Sequence, residues 1–213
     1  MKLYYSRNYH PRLSVAVARF LKVPVELEFA TPLAPDQQQR FHSLNPNLRL
    51  PILTEGDKSL WEADAIACRL SQSVGSGFWR PGIELPEMIR WLSWATWNFV
   101  AACDLIHFEL VTRRRYELGA VRQLYLEEGK ALFAESAAIL DAHLANSEWL
   151  LPSGISYADF RMACVLPFKE QAGISIEPYR NVSRWYHALD EIEAWRDPFD
   201  GLDAPQLPEL HEK

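Results

Sequence analysis

Cysteine is scarce in this chain, with three residues in 213: Cys68, Cys103 and Cys164. They lie far apart, none precedes position 68, and no CxxC pair occurs. That excludes a CxxC redox centre and any mechanism built on a cysteine near the start of the chain, and it reads as reduced thiols. Long apolar runs are missing too, and no stretch approaches the roughly 18 residues of a membrane span. The opening MKLYYSRNYH lacks the apolar centre of a signal peptide, so the reading is a cytoplasmic protein. Basic charge is short, with 22 Lys and Arg against 28 Asp and Glu, a net charge of −6. This argues against nucleic acid or an anionic membrane as a partner, and the run Arg113-Arg114-Arg115 reads as a solvated basic turn. What is present, 48% hydrophobic and 23% charged residues, suits a soluble globule of one large domain or two small ones.

The first third alternates short strands and helices. Lys2–Tyr5 reads as a strand, Pro11–Leu21 as a helix with Pro11 in its first turn, and VELEF within Pro24–Phe29 as a half-buried strand. Asp36–Leu44 is a polar helix stopped by Asn45-Pro46. Ile52–Thr54, the turn at 55–58 and Ser59–Trp61 make a hairpin, and Ala63–Ser73 is a helix. The order β-α-β-α-β-β-α is that of a thioredoxin-like domain. Residues 74–86 carry Gly, Ser and Pro without periodicity and read as a linker. Beyond it the chain is helical. Glu87–Arg113 is apolar on most sides, as a buried central helix is. Ala120–Ala145 spaces Leu124, Leu132, Leu140 and Leu144 by multiples of four. Ser156 and Asp159 form a capping box, Asn181–Tyr186 opens a last helix, and 197–213 is a Pro- and acid-rich tail, either packed extended or partly disordered.

The segment SLNPNLRLPILTEGDKSLWEADAI, 43–66, is the most telling. Pro51 heads an apolar strand and has no N–H for a ladder, so it belongs at an edge or bend. Glu62 stands at a helix start, where N–H groups bind a carboxylate and Glu62 itself could bind an amine. An edge backbone beside a carboxylate-and-amine pocket is a site for a small peptide with a free amino-acid end.

NPNLRLPIL and LWEADAI together resemble the glutathione transferase family, whose pattern is roughly an Asn-Pro, a Val-Pro strand start, a hairpin and Glu-Ser-x-x-Ile. The Gly-x-Ser-x-Ala-Asp run at 154–159 and the helix opening at Asn181 match that family's all-helical domain, so the resemblance covers about residues 1–196. It departs at Leu48, often Gly in the family, and at Ala63, usually Ser. It implies an α/β plus all-α fold: a thioredoxin-like glutathione-binding domain at 1–75 and a helical-bundle domain at 86–213. It also implies a cis Leu50-Pro51 bond, with Leu50 presenting its backbone to the cysteinyl part of glutathione.

Such an enzyme lowers the pKa of the glutathione thiol. Moving it from about 8.5 to about 6.5 takes about 2.7 kcal/mol of thiolate stabilisation, which one hydrogen bond and a helix N-terminus can supply. The donor belongs between the first strand and first helix. Counting back from Arg12 points to Asn8 and counting forward from the strand points to Tyr5, with Ser6 and Tyr9 beside them. Each also reads as a loop residue serving the backbone. The resemblance places His10, Arg49, Leu50, Pro51, Glu62 and Ala63 around glutathione, with Arg49 for the glycyl carboxylate. Ala63 keeps the N–H for the γ-glutamyl carboxylate but lacks the usual hydroxyl.

Trp91, Trp94 and Trp97 recur every three residues on one arc of a helix, a stripe that usually packs a core. In this family that helix lines the acceptor cleft, so Trp97, Cys103 and His107 are candidates for an apolar acceptor pocket. No metal is expected. The apolar helices exceed what a small helical domain covers by itself, so the chain is expected to pair as a homodimer. The leading function is transfer of glutathione to a small apolar electrophile, as in detoxification. The alternatives are a binding or regulatory module that kept the fold without catalysis, and a glutathione-dependent lyase, isomerase or reductase.

Overall fold

Alternation along β1 (Lys2–Tyr5) sends Tyr4 to one side of a sheet and Leu3 and Tyr5 to the other. The computed structural model, which describes residues 1–210, builds around that strand. β2 (Glu26–Phe29) pairs with it in parallel, and β3 (Ile52–Glu55) pairs antiparallel on its other side. β4 (Lys58–Trp61) completes the order β2-β1-β3-β4 as an outer strand. The β3–β4 turn has two residues, and Gly56 takes φ 57° there, the left-handed value such turns demand at their first position. The helices of this part are α1 (Tyr9–Phe20), α2 (Gln38–Leu44) and α3 (Ala63–Ser73).

Two compact units emerge among the described residues: Met1–Trp79 with Asp190–Gln206, and Arg80–Leu189 with 207–210. In the first unit Tyr4 packs edge-on against Phe41 of α2, with Ala30 and Ile52 completing the cluster. On the opposite face Tyr5 lies between Phe29 and a stacked Phe199. Phe199 arrives with the C-terminal segment, which runs through α10 (Glu193–Arg196) and is tied down by three arginines. Arg12 donates to the carbonyl of Trp195, Arg7 to that of Ala204 and Arg19 to that of Asp200. Residues 197–206 of the tail are therefore packed, and the last three lie outside the described residues.

The second unit corrects the expectation of one helix over Glu87–Arg113. α4 (Leu85–Trp97) stops at Asn98, whose φ −125° and ψ −96° leave the helical region. The side chain and backbone N–H of Asn98 both donate to Trp94 O at 2.9 Å. The Asn98 carbonyl then accepts from Ala102 at 2.8 Å, so α5 (Phe99–His107) starts in a new direction. A π-helical turn at Phe108–Thr112 follows, then α6 (Arg113–Arg115). The arginine run is not a solvated turn, because Arg113 and Arg115 are buried. Arg113 pairs with Glu109 at 2.6 Å, and Arg115 donates to Gln171 and Pro208 O.

α7 (Gln123–Leu144) begins later than the expected start at Ala120, and Leu124 is 77% exposed while Leu140 and Leu144 are buried. α5 crosses α7 at Gly129, where a Cβ would sit 2.9 Å from Leu105 Cβ. The capping box at α8 (Tyr157–Ala163) holds, with Asp159 accepting the Ser156 N–H at 2.9 Å. The other Asp159 oxygen accepts from Leu150 N–H and from Trp185 Nε1 of α9 (Arg180–Asp190). Among the described residues no helix is long and apolar enough to cross a membrane.

Candidate functional site

The strand register explains why distant sequence segments meet. Tyr4 pairs with Ile52, and Ile52 pairs with Trp61. The end of β1, the start of β3 and the end of β4 therefore lie at the same end of the sheet. The residues just beyond them, 6–8, 49–51 and 62–63, extend from that one end.

Asn8 is the N-cap of α1, extended at φ −68° and ψ 160°, with an exposed side chain. It makes no side-chain cap bond. Its Nδ2 lies a long 3.4 Å from Ser6 Oγ, and its carbonyl accepts the Arg12 N–H at 2.8 Å. A carboxamide at this position can offer its N–H to an anion beside the positive end of the α1 dipole. Ser6 is half-buried, and so are Tyr9 and His10, whose rings meet edge-on at 5.2 Å. Tyr5 differs from these: it is 1% exposed, on the face covered by Phe199. Burial first, then the nearby Asp203, raises its phenol pKa, with Arg7 and Arg19 opposing. Arg12, the anchor of the backward count, turns into the core toward Trp195 and Arg196.

The loop before β3 is shaped by Asn45, which is 2% exposed. Its Nδ2 donates to Arg49 O at 2.9 Å and its Oδ1 accepts the Asn47 N–H at 3.0 Å. Leu48 takes φ 53°, and Leu48 and Leu50 drop their side chains onto the Tyr4, Phe41 and Ile52 cluster. This explains a leucine where glycine is the easier choice, since its packing offsets a left-handed backbone. Leu50-Pro51 is cis, and the Arg49 side chain is exposed.

At the third segment Glu62 is exposed at the N-cap of α3 with φ 74° and ψ 126°. An L-residue with a long side chain rarely adopts this conformation, and such outliers concentrate at binding sites. Ala63, the first residue of α3, is buried. Its methyl side chain offers no hydrogen-bond donor at that position, which leaves only the backbone of the helix start. Sequence reasoning missed the Asn45 bridge and the Glu62 backbone. The first had a signal, a polar residue ahead of Pro46 in an apolar setting; the second had none.

The acceptor candidates differ in exposure. Trp97 is 78% exposed on α4, whereas Cys103 is fully buried in α5. Burial first, then the nearby Cys164, holds the Cys103 thiol well above its ordinary pKa. His107 is buried with Nδ1 3.3 Å from Thr112 Oγ1 and its ring edge-on to Phe168. Burial, helped by Arg115, pushes its pKa down to about 4, so it is a neutral packing histidine near pH 7. Among the described residues no three His, Cys, Asp or Glu side chains gather as a metal site.

Comparison with known proteins places this architecture. The pattern "Glutathione S-transferase, N-terminal domain" matches residues 1–70, and "Glutathione S-transferase, C-terminal domain" matches 123–188. Glutathione S-transferase GstB of Escherichia coli K12 is 31% identical over 163 residues, covering 73% of this chain and 76% of that protein. The dichloromethane dehalogenase of Methylophilus leisingeri is 26% identical over 59% of this chain and 47% of its own length. Among solved structures, a glutathione S-transferase-I bound with lactoylglutathione superposes with TM-score 0.83 at 18% identity, over 92% of this chain and 97% of that one. Human glutathione S-transferase T1-1 gives 0.82 at 20% identity, over 93% and 87%.

Proposed function

This chain belongs to the glutathione S-transferase superfamily, and from that premise we propose that it binds glutathione at the sheet end described above and transfers it to a small apolar electrophile. The observation that carries the reading is the convergence of 6–8, 49–51 and 62–63, with Asn8 exposed at a helix N-terminus. The cysteinyl backbone runs along Leu50 and Pro51. The γ-glutamyl carboxylate takes the N–H of Ala63 at the start of α3, and its amine takes Glu62. Arg49 serves the glycyl carboxylate, and His10 borders the same end of α1.

Asn8 Nδ2 donates to the glutathione sulfur, favouring thiolate over thiol, with the α1 dipole adding to it. The thiolate lone pair then attacks an electrophilic carbon. A carbon–sulfur bond forms, and the leaving group departs with its bonding electrons. The protein's share is positioning and anion stabilisation. Trp97 remains the acceptor-side candidate of the three. A cytoplasmic location and a homodimer are part of the proposal, the homodimer supported by the exposed Ile89 on α4.

Calorimetric titration with glutathione tests the reading, followed by a panel of electrophiles and a mixed disulfide. Millimolar or tighter binding with turnover of an electrophile is expected. Binding without turnover of any of these substrates moves the protein to the non-catalytic alternative, which the alanine at 63 favours. Turnover of the mixed disulfide alone makes it a reductase. No binding at millimolar glutathione rejects the proposal.

A further inference from the structure

We infer that Asn45 is a positioning residue that aims the backbone N–H of Leu50 at the bound ligand, a role resting on the glutathione reading above. The Asn45 side chain has one orientation. Its Oδ1 accepts from the Asn47 backbone N–H at 3.0 Å, a group that can only donate, so the other terminus is the amide nitrogen, and it donates to Arg49 O at 2.9 Å. Asn45 is itself held at both backbone groups, its N–H by Phe41 O at 2.8 Å and its C=O by Leu48 N–H at 2.9 Å. With 2% of its surface exposed, it draws the Arg49 carbonyl inward.

That carbonyl shares a planar peptide with the Leu50 N–H. The cis bond of this loop is the next one, Leu50-Pro51, so the Arg49–Leu50 peptide is trans, and its C=O and N–H point in opposite directions. Fixing one group inward fixes the other outward. The Leu50 N–H accordingly has no hydrogen-bond partner among the described residues. Pro51 has no N–H, so Leu50 supplies the strand-type donor just ahead of β3, at this end of the sheet. The Leu50 side chain meanwhile rests on the Tyr4 cluster, so the donor is presented from a packed residue.

The test compares wild type, Asn45→Asp and Asn45→Ala as full-length protein, by glutathione titration and by hydrogen exchange of the ¹⁵N-labelled Leu50 amide without ligand. Asp keeps an acceptor for Asn47 but sets a carboxylate oxygen against the Arg49 carbonyl. The peptide turns over and the Leu50 N–H bonds that carboxylate. Leu50 exchange is expected to slow about tenfold or more in Asn45→Asp, while glutathione Kd rises about tenfold in both variants. The KM for the electrophile stays within about twofold, which general loosening of the fold would not spare. Unslowed Leu50 exchange in a folded Asn45→Asp overturns the inference. Wild-type affinity in either folded variant overturns it as well, and Asn45→Ala carries this arm if the aspartate variant does not fold. If wild type binds no glutathione, the functional reading falls, and Leu50 exchange still decides the orientation.

Discussion

The guanidinium of Arg12 lies 5.0 Å above the Trp195 ring and donates to the carbonyl of the same tryptophan. One residue of the first helix thus holds both the ring and the backbone of the last one. A buried charged donor on a carbonyl contributes roughly 1.5–3 kcal/mol. Arg12→Met is expected to cost about 3 kcal/mol of stability in urea denaturation. Arg12→Lys recovers little, because an ammonium cannot match the planar fork or the ring contact. A loss below about 1 kcal/mol for Arg12→Met would contradict the anchoring role.

Asn8→Ala separates chemistry from folding. Asn8 makes no cap bond with its side chain, so the usual cost of removing an N-cap does not apply, and stability should change by less than about 0.5 kcal/mol. Loss of the hydrogen bond to the thiolate should lower kcat/KM by about tenfold to a hundredfold. The pKa of bound glutathione, read from thiolate absorbance, should rise with it. Unchanged thiolate absorbance assigns activation to another group of the 6–10 loop.

Glu62 and Ala63 give paired expectations. Ala63→Ser adds a hydroxyl for the γ-glutamyl carboxylate and should tighten glutathione by about fivefold, or about 1 kcal/mol. Glu62→Ala weakens binding by a larger factor. Glu62→Gly relieves the backbone held at φ 74° and should raise stability by about 1 kcal/mol while binding weakens. Thermal melting and calorimetry on the same samples check both signs. A glycine variant that is less stable than wild type removes the strain argument.

Glu109 sets an acid-side limit on the second unit. It is 1% exposed and accepts from Arg113 Nε at 2.6 Å, Arg122 N–H at 2.8 Å and Arg122 Nε at 3.1 Å. Burial raises its pKa, but the Arg122 N–H and the Arg113 and Arg122 side chains outweigh it, and the carboxyl stays below its usual range. A lowered folded-state pKa gives stability that is present above the unfolded value of about 4.3 and lost as pH falls through the folded one. Glu109→Gln should therefore flatten the stability curve on that acid limb. Glu109→Ala, which leaves buried Arg113 unpaired, should cost about 3 kcal/mol at neutral pH. An acid limb in Glu109→Gln as steep as wild type assigns it to other carboxylates.

The strands and the Ala63–Ser73 helix were legible because alternation and helical spacing are local properties. Glu62 and Pro51 stood out because a helix start and a strand-opening proline leave marks in sequence. The break at Asn98 went unread, since it rests on the backbone conformation of one residue inside an apolar stretch. Arg113 and Arg115 read as solvated because their partners Glu109, Gln171 and Pro208 are a matter of tertiary placement. Asn45 looked like a helix stop, and its bond to Arg49 emerges only when the loop is built. The donor at the end of β1 stayed open between two counts. Burial of Tyr5 beneath Phe199 depends on a segment almost two hundred residues away.

That same segment dictates an order of events during synthesis. The first unit is written in two instalments, Met1–Trp79 and then Asp190–Gln206. A nascent chain leaving the ribosome displays Tyr5, Arg12 and the outer surface of α1 uncovered until the second instalment emerges. The sheet can assemble early, but its final closure waits for Trp195 and Phe199. A fragment ending at Trp79 exposes that unfinished surface permanently and should be recovered chiefly as aggregate. Supplying residues 190–206 on a short tether after position 79 should restore a soluble fold.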